Sequence, residues 1–431
     1  MFSQRILGLC AVLLAGCATN ANVVRDAEPV DAAAAAEAAR LAKLDGLEAS
    51  ALALHRAEEE ALWAHWTTGA PLDLAAVKQP YRALLSRESL ALATERPDLH
   101  RFIAGELIAE GVAAEQRALS QLEATATFTL DGRALAWREL PRLLASEPSA
   151  VKRRALWAAS HEAAKQLDDA LAKRDQKRAE VLAELGLGAD FEEQARGLSL
   201  TTLRPEAEAF LTATDAEWAA TLERLANDEV KLPVNALTRG DFPRLLRVPA
   251  AVDAEFSRDT FAARLPAADG VKVDLAESPK KSALPLTVAL AADDVRVSLK
   301  PGAGLRDLQQ ALAELGLAKA LRGRSPLADT RDAQVQAQRG ANLVRDDAWL
   351  TQAGVSSREP VIAAARALWL FQARRAAAVV LATSPEKYRE VMGRALGLKL
   401  PAEEVARFHV ETADVPRTAS QLATLLRAEA P

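Results

Sequence analysis

The chain is poor in cysteine and in aromatic side chains, and both shortages limit what it can be. Its 431 residues include two cysteines, and aromatic residues make up 4% of the sequence. Cys10 lies in an N-terminal stretch with the pattern of a removed signal, so Cys17 has no partner for a disulfide or a cysteine metal site. After that stretch, no run reaches the roughly 18 apolar residues of a membrane-spanning helix.

No excess of positive charge is present either. The chain carries 54 basic and 59 acidic residues, a net charge of −5, and both signs are spread along its length. Proteins that bind nucleic acid concentrate positive charge on one face, so we expect no nucleic-acid partner. Half of the residues are hydrophobic, chiefly alanine and leucine. These are strong helix formers, and the sequence therefore predicts a mostly α-helical fold.

The N-terminus has the order of features found in an export signal. Arg5 precedes an apolar run at 6–13, and Leu-Ala-Gly-Cys then ends at Cys17. This order resembles the lipobox of bacterial lipoproteins, in which the cysteine receives the lipid. The alternative is an ordinary cleaved signal peptide with an incidental cysteine.

The lipobox resemblance implies a location for the protein. We expect a signal peptide over residues 1–16, lipid on Cys17 and a flexible tether over 17–30. The residue after the cysteine is Ala18 and not aspartate. In bacterial lipoproteins this implies an outer-membrane anchor that faces the periplasm, and the lipid is the only membrane attachment that we expect.

The rest of the chain, 31–431, has the pattern of one large helical domain with two lobes, 31–240 and 241–431. Helical periodicity predicts a single long helix that starts with Ser146 as its cap and ends at Gly186 or Gly188. Apolar residues alternate between 270 and 300, with turn residues between the runs, which predicts a small antiparallel β-sheet. A Gly/Pro turn and an amphipathic helix over 305–321 follow.

This order of elements resembles the helical gluzincin metallopeptidases, a superfamily that includes thimet oligopeptidase, the oligoendopeptidases and the angiotensin-converting-enzyme-like peptidases. The resemblance implies a large multi-helix peptidase-like scaffold, and four stretches carry it. They are a long helix with a leucine-glycine turn at 152–193, a hairpin at 278–302, the helix segment 308–321 and the segment 339–354.

The resemblance also shows which metal ligands are missing. Ala313-Glu314-Leu315-Gly316-Leu317 aligns with the H-E-x-G-H motif, in which two histidines hold zinc. Ala313 and Leu317 replace the histidines and have no lone pair to donate, while Glu314 keeps the position of the general base. The family's third ligand, a glutamate, is also absent, and Gln334, Gln336 and Gln338 occupy its stretch. We therefore expect no zinc and no other cofactor.

Two further points concern ligands. The resemblance implies that Val295, Arg296, Val297 and Ser298 form an edge strand that pairs with a peptide. The segment that begins His161-Glu162 is the nearest literal match to H-E-x-x-H, but Lys165 stands where the second histidine would be. A protonated lysine repels a metal ion, so we interpret this segment as a charged helix face.

Three functions agree with this sequence. The first is a lipid-anchored pseudopeptidase that has lost its zinc site and binds a peptide or protein in the cell envelope. The second is an active hydrolase with a rearranged site, built from Glu314, from Asp329 or Asp332, and from a distant histidine. The third is a purely structural envelope lipoprotein, in which Ala313 and Leu317 pack against a neighbour and fill the former cleft.

Overall fold

The computed structural model describes residues 29–429 and is mostly α-helical, as the composition predicts. Cys17 and Ala18 lie outside the described residues. The helices of the first half are α1 (Pro29–Thr68), α2 (Leu74–Lys78), α3 (Arg87–Leu92), α4 (Pro97–Gly111), α5 (Ala113–Thr125), α6 (Leu140–Ser146), α7 (Ala150–Ala159), α8 (His161–Glu184), α9 (Phe191–Ala195) and α10 (Leu200–Leu225).

The second half continues with short helices and then with the long ones that form the main core. They are α11 (Phe242–Leu245), α12 (Ala250–Ala254), α13 (Arg258–Phe261), α14 (Leu305–Leu321), α15 (Arg331–Asn342), α16 (Asp347–Gln352), α17 (Arg358–Leu381), α18 (Pro385–Leu396), α19 (Phe408–Thr412) and α20 (Val415–Glu429). Within the described residues, no helix combines the length and apolar character needed to cross a bilayer.

In the part of the chain that the structure describes, five short strands form two small sheets. An antiparallel hairpin joins β1 (Thr127–Leu130) to β2 (Arg133–Ala136). The second sheet contains β3 (Lys272–Asp274), β4 (Leu286–Ala291) and β5 (Asp294–Ser298), in the order β3-β5-β4. Strands β4 and β5 pair antiparallel, as their alternating sequence predicts, and β3 adds to β5 in parallel.

Within the described residues, contacts separate the chain into two compact units, one that ends at Gly46 and one that starts at Leu47. In the second unit, the largest hydrophobic cluster extends from Leu203 to Leu425. Residues on both sides of position 240 therefore share one core. The division into two lobes at that position stays a prediction.

The prediction of a single helix that starts at Ser146 is wrong in two respects. The segment consists of two helices, α7 and α8, which meet at Ser160, and the side chain that caps α7 is Ser149, whose hydroxyl accepts a hydrogen bond from the Lys152 N–H. Ser160 is fully buried and accepts a hydrogen bond from the guanidinium of Arg407. Arg407 is 247 positions from Ser160 along the chain, and its hydrogen bond holds Ser160 at the break. Helical periodicity depends on near neighbours and does not reveal such a contact.

Helix α14 has the predicted bounds, 305–321. Four leucines at helical spacing form its buried stripe, with exposed fractions of 0–1%: Leu305, Leu308, Leu312 and Leu315. Its first turn begins after Gly304, which has a φ of +95°. The Leu305 N–H donates a hydrogen bond of 3.0 Å to Asp253, which supplies the cap that glycine cannot.

Helix α15 packs closely against α14 at two glycines. A Cβ added to Gly316 would lie 2.5 Å from the carbonyl oxygen of Gln336, and one added to Gly340 would lie 2.3 Å from that of Leu312. Both distances are shorter than any ordinary contact, so only glycine permits this approach. The close contacts at these two glycines fix the orientation of α15 against α14. They therefore determine which side chains of the two helices face the same space.

Candidate functional site

A cleft of about 1970 Å³ lies beside α14 and α15 in the larger unit. One wall is formed by side chains of the 72–117 region and of α8 and α9. The opposite wall comes from α14, α15, α17 and α20. Pockets for drug-sized ligands usually measure about 300–1,000 Å³, so this cleft has room for a segment of a polymer.

The three positions singled out on α14 line this cleft. Ala313, Glu314 and Leu317 all belong to its lining, and each is half-buried. From α15, Gln334 and Gln338 line the same cleft, whereas Gln336 does not. The turn of α14 that aligns with the metal-binding motif therefore faces an open space, opposite neutral amides.

Glu314 is held against strand β4. The Thr287 hydroxyl donates a hydrogen bond of 3.1 Å to the backbone carbonyl oxygen of Glu314. Burial raises the pKa of the Glu314 carboxyl above its usual value, and hydrogen bonds from the side chain and backbone of Thr287 offset only part of that effect. Glu314 therefore keeps a proton more readily than an exposed glutamate does.

The edge-strand prediction for residues 295–298 is wrong. These four residues, Val295, Arg296, Val297 and Ser298, belong to β5, which pairs with β3 on one side and with β4 on the other. Alternation identifies a strand, but its neighbours follow from the tertiary fold. The strand at the edge beside α14 is β4.

Two carbonyl oxygens, one in β4 and one just before it, already accept hydrogen bonds from side chains of α1. The His55 ring donates a hydrogen bond of 2.9 Å from Nε2 to the carbonyl oxygen of Ala289. Burial raises the pKa of the neighbouring Glu59, while a hydrogen bond from the Ala289 backbone lowers it in part. Trp66 donates from Nε1 to the Leu284 carbonyl oxygen at 2.7 Å. A peptide would have to displace these contacts to add a strand here.

Hydrogen bonds from two arginines connect the walls at one end of the cleft. Arg101 of α4 donates to the carbonyl oxygen of Leu327 at 2.8 Å, and Arg331 of α15 donates to that of Gly197 at 3.1 Å. Arg331 also forms an ion pair with Asp329. The loop between α14 and α15 is thereby tied to the opposite wall, which limits how far the two walls can separate.

Glu411 is a buried carboxylate in the lining of the cleft. Its side chain is 7% exposed and pairs with Arg239 and, at 3.3 Å, with the more exposed Arg375. Burial alone would raise the pKa of Glu411, but Arg239 and Arg375 outweigh it and lower the pKa to about 2. The Glu411 carboxylate therefore stays ionised. It lines the cleft and at the same time pairs with Arg239 in the protein interior.

Arg239 is the centre of this buried network. Its guanidinium donates to Glu404 at 3.2 Å and to the hydroxyl of Tyr388. Burial raises the pKa of the Tyr388 phenol, so the phenol stays protonated. The Arg239 guanidinium also lies 5.3 Å from the ring centroid of Trp157, within the range of a cation–π contact.

A second buried arginine completes the cluster. The Arg407 guanidinium lies 3.6 Å from the ring centroid of Trp157, and burial, reinforced by the charge of Arg239, lowers the pKa of Arg407 to about 10. His161 lies in the same place, with its Nε2 3.7 Å from Glu404. It is therefore part of a partly buried network, and the interpretation of this segment as a charged helix face is incomplete.

The described side chains of residues 32–429 contain no group of three histidine, cysteine, aspartate or glutamate residues that could hold a metal ion. Among the other candidates, Asp329 lines the same cleft as Glu314, while Asp332 pairs with Arg427 and is not part of the lining. Within the described residues, no histidine belongs to the lining of the cleft.

Sequence reasoning did not find the cluster around Arg239. Its charged members lie far apart along the chain, and Arg239 and Glu411 are separated by 172 positions. No periodicity or spacing connects these residues, so only contacts in the folded chain could reveal them.

Comparisons with known proteins give no family for the chain: no protein-family model matches it, and no curated protein matches it. The resemblance to helical gluzincin peptidases therefore rests on the residues and their order.

Proposed function

We propose that this protein is a lipid-anchored pseudopeptidase of the bacterial envelope, which has lost its zinc site and binds a peptide or protein in the cleft. One observation carries the proposal. The turn of α14 with Ala313, Glu314 and Leu317 lines a cleft of about 1970 Å³, and two of those three side chains are hydrocarbon. The scaffold has room for a polymer beside a position that lacks metal ligands.

The open cleft favours binding over a purely structural role. In a structural protein, Ala313 and Leu317 would pack into a neighbour and fill the space. Both are instead half-buried in the cleft lining, and the walls around them carry many polar side chains. A large concave surface with convergent polar groups is the usual form of a binding site.

One observation favours the second candidate, an active hydrolase. Glu314 and Asp329 line the same cleft, and the pKa of Glu314 is raised, as a general acid requires. Asp332 lies outside, however, and the cleft lining within the described residues supplies no histidine to act with the carboxylates. The binding role requires fewer groups and agrees with more of the lining.

Three measurements on the purified protein test the proposal. Elemental analysis should find no stoichiometric zinc, because no imidazole stands at 313 or 317. A peptide library should show no cleavage, with or without a chelator. The same library, immobilised, should retain the protein. Zinc at about one per chain, or chelator-sensitive cleavage, would contradict the loss of the peptidase site.

A further control separates binding in the cleft from binding elsewhere. Gln334→Trp places a bulky ring in the cleft lining, and Gln336→Trp places the same ring on the exposed side of α15. Retention by the library should fall for the first variant and persist for the second. Equal retention by both variants would contradict binding in this cleft.

A further inference from the structure

The charge of the cleft differs in sign from that of the whole protein. Nine basic and six acidic side chains line it, a surplus of positive charge, whereas the chain as a whole has a net charge of −5. A cleft lined by one sign of charge between low-dielectric walls concentrates the field and attracts the opposite charge. The charge of the lining therefore favours negatively charged ligands over positively charged ones.

Most of the basic side chains in the lining are already neutralised. Six of the nine form ion pairs, among them Arg375 with Glu411 and Arg331 with Asp329. The other three, Arg117, Arg196 and Arg417, form no ion pair with any described residue. Among the six acidic residues of the lining, Asp73 and Glu314 likewise form no ion pair with a described residue, and the acids that pair with Lys78 and Arg101 lie outside the lining. Arg117, Arg196 and Arg417 are the cations of the lining that remain open to the carboxylates of a ligand.

These three arginines belong to different parts of the cleft. Arg117 is on α5 and donates from Nε to the carbonyl oxygen of Ala113 in its own helix, at 3.2 Å. Arg196 follows α9 and is half-buried, and Arg417 is an exposed residue of α20. Three cations on three different elements of the wall suit a ligand with several negative charges better than a ligand with one.

Neutral amides provide the remaining polar groups. Five glutamines line the cleft: Gln116, Gln334, Gln338, Gln372 and Gln421. A glutamine side chain offers both donors and an acceptor, which matches the N–H and C=O groups of a peptide backbone. Because side chains of α1 already bond the carbonyl oxygens of Ala289 in β4 and of Leu284 before it, a peptide that added to β4 would have to displace them, which favours side-chain contacts of this kind.

We propose that the cleft binds an extended peptide rich in aspartate and glutamate, with Arg117, Arg196 and Arg417 contacting its carboxylates. This inference rests on the proposed function, since it names the class of peptide that the cleft accepts. Guanidinium groups form two parallel hydrogen bonds with a carboxylate, so each arginine contributes orientation as well as charge.

Fluorescence anisotropy with three labelled peptides tests the inference on the full-length chain in detergent. The peptides have about ten residues and alternate alanine with glutamate, glutamine or lysine, and we expect the glutamate peptide to bind about tenfold more tightly than the glutamine peptide. Raising the salt concentration from about 0.05 M to about 0.5 M should remove most of that difference, because exposed charges are screened.

A matched pair of triple variants locates the contacts. Arg117→Gln, Arg196→Gln and Arg417→Gln combined should weaken the glutamate peptide about tenfold and leave the glutamine peptide nearly unchanged. The control combines Arg133→Gln, Arg138→Gln and Arg339→Gln, which removes the same charge from exposed positions outside the cleft lining. It should leave both affinities nearly unchanged.

The outcomes separate this inference from the proposed function. If no peptide binds, both fail. If the glutamine and lysine peptides bind as tightly as the glutamate peptide, the cleft binds peptides and only the acidic preference is wrong. If heparin displaces the glutamate peptide and binds more tightly than any peptide, the ligand is an anionic polysaccharide and the inference is overturned.

Discussion

Gly316 of α14 lies directly against the backbone of Gln336 in α15, with no room for a side chain between them. This contact explains why glycine stands at the fourth position of the Ala-Glu-Leu-Gly-Leu segment without reference to a metal. Helix packing alone requires it. The residue that looks most like a remnant of the peptidase motif thus has a present structural role.

The first prediction concerns this glycine. Gly316→Ala should lower the free energy of unfolding by about 1–3 kcal/mol, because the new methyl group forces α14 and α15 apart. Gly105 of α4 is the control, since a Cβ there meets nothing within 4 Å. Gly105→Ala should stabilise the protein by about 0.5–1 kcal/mol through helix propensity. Urea unfolding measures both, and equal effects would contradict the close packing.

The second prediction tests the resemblance to zinc peptidases by restoring ligands. Ala313→His and Leu317→His put two imidazoles one turn apart on α14, and Gln338→Glu adds a carboxylate from α15. Because all three positions line the same cleft, the triple variant should bind about one zinc ion per chain.

Its control replaces Gln338→Glu by Gln336→Glu, which adds the same charge to a side chain outside the cleft lining. That variant should bind zinc at least about tenfold more weakly, because it has lost the third ligand. Titration with a zinc indicator measures both affinities. If the two variants bind zinc equally, α14 and α15 do not have the geometry of the metal helix and its partner.

The third prediction concerns the raised pKa of Glu314. Between its usual value and its raised value, the folded protein retains a proton that the unfolded chain has released. Stability therefore falls as pH rises through that window and stays lower above it. Glu314→Gln removes the titrating group, so its stability relative to the original protein should increase with pH and then level off. Urea unfolding at several pH values from 4 upward measures this, and a constant difference would contradict it.

The fourth prediction has the opposite sign. Ion pairs with Arg239 and Arg375 lower the pKa of Glu411 to about 2, so the folded state releases its proton more readily than the unfolded chain. The stability from this carboxylate is complete above its ordinary pKa of 4.5 and is lost as pH falls toward 2. Glu411→Gln should lower the free energy of unfolding by about 3 kcal/mol at neutral pH, and by less as pH falls through that window.

Glu403 provides the control for Glu411, because it lies on an exposed turn nearby. Glu403→Gln should change the free energy of unfolding by no more than about 0.5 kcal/mol. Chemical unfolding at pH 3, 5 and 7 distinguishes the two variants. A cost for Glu411→Gln that is equal at all three pH values would show that its contacts do not depend on charge.

The fifth prediction concerns the N-terminus. If Cys17 carries lipid, Cys17→Ser should move the protein from the membrane fraction to the soluble fraction of the cell, because the thiol that accepts the acyl chains is gone. Metabolic labelling with a fatty acid should mark the original protein and not the variant. Absence of the fatty-acid label from the original protein would contradict a lipid anchor.

The helices and strands were the features easiest to predict. The leucine stripe gave the bounds of α14, and alternation with a turn gave the β4–β5 hairpin, because both depend on neighbours a few residues apart. The prediction of a single helix from Ser146 was wrong because α6 ends at Ser146 and Ser160 separates α7 from α8. Ser160 is contacted by Arg407, which is 247 positions away along the chain and outside the reach of local periodicity. The edge strand failed for a related reason, since β3 covers β5 and sequence does not show which strands pair.

The sequence by itself determined which chemistry is absent from α14, because alanine and leucine have no electron pair to donate in any fold. It also determined the mostly helical architecture, which follows from composition and periodicity. Only the tertiary structure decided that Ala313, Glu314 and Leu317 line a cleft, that Glu411 is ionised between Arg239 and Arg375, and that three arginines of the cleft lining form no ion pair with a described residue. Burial and pairing depend on which distant residues meet, and that is a property of the folded chain.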